Sequence, residues 1–229
     1  MKTLLNILIE FLIVVFAFIG LRSQATNGED GKRRPDMYVY YTNLSNLAVL
    51  IFFLARTIGN LFALQNNFTY YTIFFSHFSW YAVTLMIFVT FLVYHFLLLP
   101  AIKENPAIYG EFAQFNSFGN KSVHYIVPLL SVANWLLFES KGAVTWQYAI
   151  FWLAIPLVYA AFAFIRGALG QKIYGTNSKY PYEFMSPDLI GWEKVMVNIG
   201  VLLVGFILLG FLVLGAGWLV DFVLSGAKL

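Results

Sequence analysis

Six stretches of this chain, residues 4–21, 38–63, 71–99, 123–138, 144–165 and 195–219, carry only two formal charges between them, Glu10 and Arg56. Each reads as a membrane-crossing helix, for which about 20 residues are needed, and the fourth is the shortest. In hydrocarbon every backbone N–H and C=O must be satisfied inside its own element, which leaves a helix as the conformation open to such runs. Composition agrees, with 60% hydrophobic and 11% charged residues, against about 25% charged in an ordinary soluble domain. The expected fold is therefore all-α: a polytopic membrane protein in which a bundle of six transmembrane helices forms one domain over residues 1–229, with no soluble module. The first run lacks a basic leader beyond Lys2, contains Glu10 and meets no small-residue cleavage site, so it is expected to be helix one and not a signal peptide.

Ten of the fourteen Lys and Arg residues fall in the connections after helices one, three and five. By the positive-inside rule these odd-numbered loops are expected in the cytoplasm, with both termini on the opposite side. The odd connections are also the long ones, whereas those near 64–70 and 139–143 are short enough to make helices two and three, and four and five, tight antiparallel pairs. A net charge of +3 gives no reason to expect nucleic acid as a partner, and the absence of cysteine excludes disulfides, thiolate metal sites and a cysteine nucleophile. No metal or other cofactor is expected. The Gly200, Gly205, Gly210, Gly215 series advances by five residues and spirals around its helix, which suits close packing in several directions better than a dimer seam.

Polar groups inside such helices need a reason. On a wheel with Thr42 at zero, Asn46 falls at about 40°, Ser45 at about −60°, Arg56 at about −40° and Asn60 at about 0°, with Asn43 at the edge. That single stripe faces the bundle interior, either for interhelical hydrogen bonds or as a site. Helix four repeats the pattern, because Asn120, His124, Pro128, Ser131 and Trp135 lie within about 40° of His124. Pro128 has no N–H for the carbonyl of His124, so an imidazole and an unpaired carbonyl share one turn. Thr42 and His124 each lie about one turn inside a helix that begins from an odd loop, hence on the same side and at the same depth of about 6 Å.

A threonine hydroxyl is a poor nucleophile until a base takes its proton, and histidine is the side chain best matched to that task. Asn43, Ser45 and Asn46 are candidate donors to an oxyanion or candidate positioning groups. No acidic residue is placed to complete a triad, and His95 is a rival base. On the other side Glu10, Arg56, Asn60 and His77 match in depth and read as a structural polar cluster around a buried Glu10–Arg56 pair, with a proton relay as the alternative. Arg166-Gly167 ends helix five, and the segment Tyr180-Pro181-Tyr182-Glu183-Phe184 suits either an aromatic belt at the headgroups or a re-entrant lid.

The Tyr41-Thr42-Asn43-Leu44-Ser45-Asn46 segment, the His124-Tyr125-Ile126-Val127-Pro128 segment, and Arg166-Gly167 with Tyr180–Phe184 together resemble the bacterial six-helix membrane proteins related to the androgen-induced membrane hydrolases of animals. The resemblance spans about residues 38–200. It implies an intramembrane hydrolase of the bacterial inner membrane that cleaves lipid or fatty acid esters, with Thr42 and His124 at the positions of the family's threonine and histidine. The chain departs from the animal pattern at Ser45, where asparagine is expected, and in a shorter spacing from histidine to proline. Membrane lipids and a lipid-like substrate are the implied partners. The alternative is a transporter or small-molecule binding membrane protein without hydrolytic activity, using the Glu10 cluster for coupling.

Overall fold

The computed structural model describes residues 2–26, 34, 36–66, 76–104, 116–173, 176 and 178–225, and among these it holds helices and no strand. Five helices are long and apolar enough to cross a membrane. They are α1 (Lys2–Thr26), α2 (Tyr41–Asn66), α3 (His77–Glu104), α5 (Tyr148–Leu169) and α6 (Trp192–Ser225). The expected fourth span, α4, is helical throughout 118–138 but is not among the five. Asn120, Lys121, Ser122, His124, Ser131 and Asn134 make it the most polar of the set. Its surroundings explain how that is tolerated, since α4 packs mainly against α1 and α3 with α6 alongside.

Observed helix bounds correct the expected ones in an informative way. Helix two does not begin at 38: a 3-10 turn over Met37–Val39 precedes an extended Tyr40, whose carbonyl then receives the N–H groups of Asn43 and Leu44. Thr42 is therefore the second residue of α2, not one turn inside it. Helix three runs past Pro100 to Glu104, and α4 begins five residues earlier than expected. Residues 71–75, expected in helix three, and most of 64–70 lie outside the described residues. The expected tight pairing of helices four and five is not what the chain does. After Phe138 a 3-10 turn at Lys141–Ala143 carries it across, so that the first turn of α5 (Tyr148–Phe151) packs on α6.

Both α3 and α4 contain one π turn, over Tyr94–Leu98 and Ser122–Ile126. Each ends two residues before a proline, Pro100 or Pro128. A proline ring collides with the carbonyl four residues back, and widening the turn relieves the collision without ending the helix. Near the second π turn α1 approaches closely: a Cβ on Gly119 would sit 2.1 Å from Ser23 Cβ, and one on Gly20 2.5 Å from Val123 Cγ1. Of the α6 glycines, Gly210 meets the backbone of Ala149, whereas Gly200, Gly205 and Gly215 face open space.

At the opposite end of the bundle Glu10 is fully buried and accepts from Arg56 Nε at 3.0 Å, Asn60 Nδ2 at 2.8 Å and Asn6 Nδ2 at 3.2 Å. The Arg56 guanidinium lies 3.5 Å from the centre of the Trp80 ring. Three donors and an aromatic face thus compensate a carboxylate and a cation removed from water. His77, expected in this cluster, instead pairs with Glu139 and ties the start of α3 to the end of α4. Lys141 Nζ donates to the carbonyls of Trp135, Leu136 and Glu139 at 2.7, 3.0 and 2.6 Å. It closes α4 by satisfying acceptors that a helix end leaves open.

Candidate functional site

Thr42 sits in the first turn of α2, whose leading N–H groups need acceptors from outside the helix. Tyr41 N–H donates to the Tyr159 hydroxyl at 3.1 Å, and that hydroxyl donates onward to the Val39 carbonyl at 3.0 Å. The Tyr182 hydroxyl faces the Thr42 side chain and the backbone of Tyr41 and Thr42. Burial pushes the Tyr182 phenol up to about 12, only partly offset by its contact with Thr42, so it stays a neutral donor.

Thr42 Oγ1 lies 3.4 Å from His124 Nε2, at the long limit of a hydrogen bond. Loose spacing of this kind is usual for a nucleophile and base without substrate. On the far side of the ring, His124 Nδ1 is 3.0 Å from the Asn120 carbonyl. A carbonyl only accepts, so in the neutral ring Nδ1 carries the proton and Nε2 turns a lone pair toward Thr42. A backbone carbonyl therefore occupies the place a carboxylate takes in a triad. Tyr94 completes the clamp: its ring stacks on the imidazole with centroids 3.7 Å apart at 19°, and its hydroxyl accepts from Asn120 Nδ2 at 2.7 Å. Both rings come from the two π turns.

The three polar neighbours of Thr42 hold the backbone. Asn46 Nδ2 donates to the Thr42 carbonyl at 2.8 Å and across to the Val123 carbonyl on α4 at 3.1 Å. Ser45 Oγ donates to the Thr42 carbonyl at 3.0 Å and lies 2.8 Å from Thr90 Oγ1 on α3. Asn43 Nδ2 donates to the Met37 carbonyl at 2.7 Å and fixes the turn before the helix. With these donors engaged, the polar side chain that remains against Thr42, besides His124, is the Tyr182 hydroxyl. His95, the rival base, is exposed, stacked on Phe91 and 3.1 Å from the Tyr125 hydroxyl. Glu10, Arg56 and Asn60 are not part of this site.

Thr42 lines a cleft of about 670 Å³ of empty space, counting its open mouth. Its walls come from Val89–Leu98 of α3, 156–160 of α5 and 199–206 of α6, and its cover is Tyr182, Phe184 and Met185. The cover is pinned at both ends. Arg166 Nη1 donates to the carbonyls of Gln171 and Lys179 at 2.8 and 2.6 Å, and Asn198 Nδ2 donates to the Phe184 carbonyl at 3.1 Å. Gly167 admits the Tyr180 ring, since a Cβ there would lie 2.2 Å from Tyr180 Cε1. Tyr180, Pro181 and Met185 are buried, so this segment folds over the cleft and is not an outward aromatic belt. Among the described residues no group of three or more His, Cys, Asp or Glu could hold a metal ion.

Sequence reasoning passed over Tyr94, Tyr159 and the carbonyl of Asn120. Pro100 and Pro128 were the available signal, each marking a helix that must widen one turn earlier. Comparison with protein-family models, curated proteins and solved structures finds no match to this chain.

Proposed function

We propose that this chain is a multi-pass membrane hydrolase of lipid esters, with Thr42 as nucleophile and His124 as general base. One observation carries the reading: Nε2 of a buried imidazole, its tautomer set by the Asn120 carbonyl, lies 3.4 Å from the hydroxyl of a threonine that lines an apolar cleft. A substrate enters laterally from the bilayer with its carbonyl carbon against Thr42 Oγ1. As Oγ1 adds, its proton passes to His124 Nε2, and the carbonyl oxygen becomes an oxyanion beside the Tyr182 hydroxyl and the N-terminal end of α2, where the helix dipole favours negative charge. Collapse expels the alcohol, which takes the proton from Nε2, and leaves an acyl-threonine. Water then adds with His124 again as base, and the acid departs as Thr42 recovers its proton. The odd-numbered connections face the cytoplasm and supply that water.

Labelling of the detergent-solubilised protein with an alkyl fluorophosphonate tests this. Modification is expected in the wild type, to be lost in Thr42→Ala, and to be slowed by about 10²–10⁴ in His124→Ala, the range for a general base. Undiminished labelling of Thr42→Ala refutes Thr42 as nucleophile. The competing reading, a binding protein or transporter without hydrolysis, shares the cleft and expects no labelling of the wild type at all.

A further inference from the structure

A second concavity, which shares no residue with the Thr42 cleft, lies along the exposed face of α5 and has about 880 Å³ of empty space, open side included. Its apolar floor is Val158, Ala161, Phe162, Ile165 and Leu169. These five fall within about 60° of Val158 around the helix and extend for about 16 Å along it. Leu169 and Val158, at 85% and 70%, are the most exposed large apolar side chains among the described residues. At the loop end of this floor stands Arg166. Its Nη1 is committed to the carbonyls of Gln171 and Lys179 at 2.8 and 2.6 Å, and a Cβ on Gly170 would come within 3.4 Å of its Nε and Cζ. The guanidinium is therefore fixed beside the concavity. Among the described residues its Nε and Nη2 make no bond, and no carboxylate pairs with Arg166, Lys172 or Lys179.

We infer that this face of α5 holds one anionic phospholipid, its phosphate on the free edge of Arg166 and an acyl chain along Val158, Phe162, Ile165 and Leu169. The inference needs the membrane placement in the proposed function and none of its chemistry. A guanidinium edge matches two phosphate oxygens, which an ammonium group does not. Arg166 stands where α5 runs into a basic connection, the level at which headgroups lie, and the apolar floor runs from it toward the middle of the span. Lys172 follows three residues after the helix, and the backbone of Lys179 is bonded to Arg166, so both add positive charge at that level. A zwitterionic headgroup brings its own cation to these three, whereas an anionic one does not. The other occupant an apolar helix face invites is a second copy of the chain. In a symmetric pair this face would oppose itself and set Arg166 against Arg166, with no acid among the residues that line it.

Native mass spectrometry of the full chain in detergent tests this, with dioleoyl phosphatidylglycerol titrated against dioleoyl phosphatidylcholine. One phosphatidylglycerol is expected to be retained with an affinity at least about fivefold above that for phosphatidylcholine, the contribution of one basic residue at a membrane surface. Arg166→Gln is expected to abolish that preference. Ala161→Trp fills the apolar floor and leaves the Arg166 bonds in place; it is expected to weaken both lipids while the preference stays. Because Arg166→Gln also releases the carbonyls of Gln171 and Lys179, Ala161→Trp decides alone if the former does not fold. Equal affinity for the two lipids, a preference that survives Arg166→Gln, binding indifferent to Ala161→Trp, or a dimer in place of the lipid each overturns the inference. Fluorophosphonate labelling reads Thr42 and not this face. Labelling without lipid selectivity removes the lipid site alone, and lipid selectivity without labelling removes the hydrolysis alone.

Discussion

Asn46→Leu separates holding the site from holding the fold. Asn46 is fully buried, and its amide nitrogen bridges the Thr42 carbonyl to the Val123 carbonyl of α4. This is a direct tie between the helix that carries Thr42 and the helix that carries His124. Leucine has nearly the same volume and no polar atoms. An interhelical hydrogen bond in a membrane protein contributes about 0.6 kcal/mol on average and at most about 1.7. The substitution also removes Asn46 Oδ1, a buried acceptor with no partner among the described residues, which offsets part of that loss. The Thr42 carbonyl keeps its bond from Ser45 Oγ. A net destabilisation of about 1 kcal/mol or less is expected. Chemistry has less margin, because Oγ1 and Nε2 are already 3.4 Å apart. A further displacement of about 1 Å lowers the rate by about 100-fold. Fluorophosphonate labelling rate and an SDS unfolding titration on the same preparation report the two quantities. Labelling within about twofold of wild type would refute the claim that this bridge sets the Thr42–His124 distance.

Glu10→Ala leaves Arg56 and Asn60 without their shared acceptor and is expected to destabilise by about 3–5 kcal/mol in thermal unfolding, whereas Glu10→Leu with Arg56→Met recovers most of that loss. Equal stability of the single and double variants would show that the pair is not what holds α1 on α2. For Tyr182 the pH dependence follows from a phenol raised from 10.0 to about 12 by burial. A pKa raised on folding means that the group's contribution is complete below pH 10 and is lost as pH rises toward 12. A Tyr182→Phe protein is expected to lose that alkaline limb, and labelling of the wild type is expected to show no phenol-dependent fall below pH 10; a limb retained in Tyr182→Phe assigns it elsewhere.

Periodicity in the sequence carried the main placement: apolar runs marked the long helices, and two polar stripes set Thr42 opposite His124. The Glu10–Arg56 pair followed from matched depth in the same way. What periodicity did not carry is which donor meets which acceptor. Asn43, Ser45 and Asn46 looked like oxyanion donors because their side chains have the right chemistry. Their partners are carbonyls of Met37, Thr42 and Val123, and which backbone carbonyls stand within reach depends on where a helix starts and how a neighbour widens. His77 shows the same limit, since depth alone does not choose between Glu10 and Glu139.

The two prolines reach further than the stripe that first drew in Pro128. A helix wheel at 100° per residue assumes unbroken i to i+4 bonding, yet Val127 N–H reaches back to Ser122 and Leu99 N–H to Tyr94, five residues each. Each widening shifts the phase of everything on its C-terminal side. In α4 the His124 ring sits inside the widened turn and bonds to the Asn120 carbonyl, four residues back. In α3 the widened turn presents Tyr94 flat against that ring. One proline-induced distortion therefore holds the His124 ring and orients its tautomer, and a second supplies the surface that fixes the ring. A residue type usually read as a helix breaker is here what lets two continuous helices bring an imidazole to a threonine.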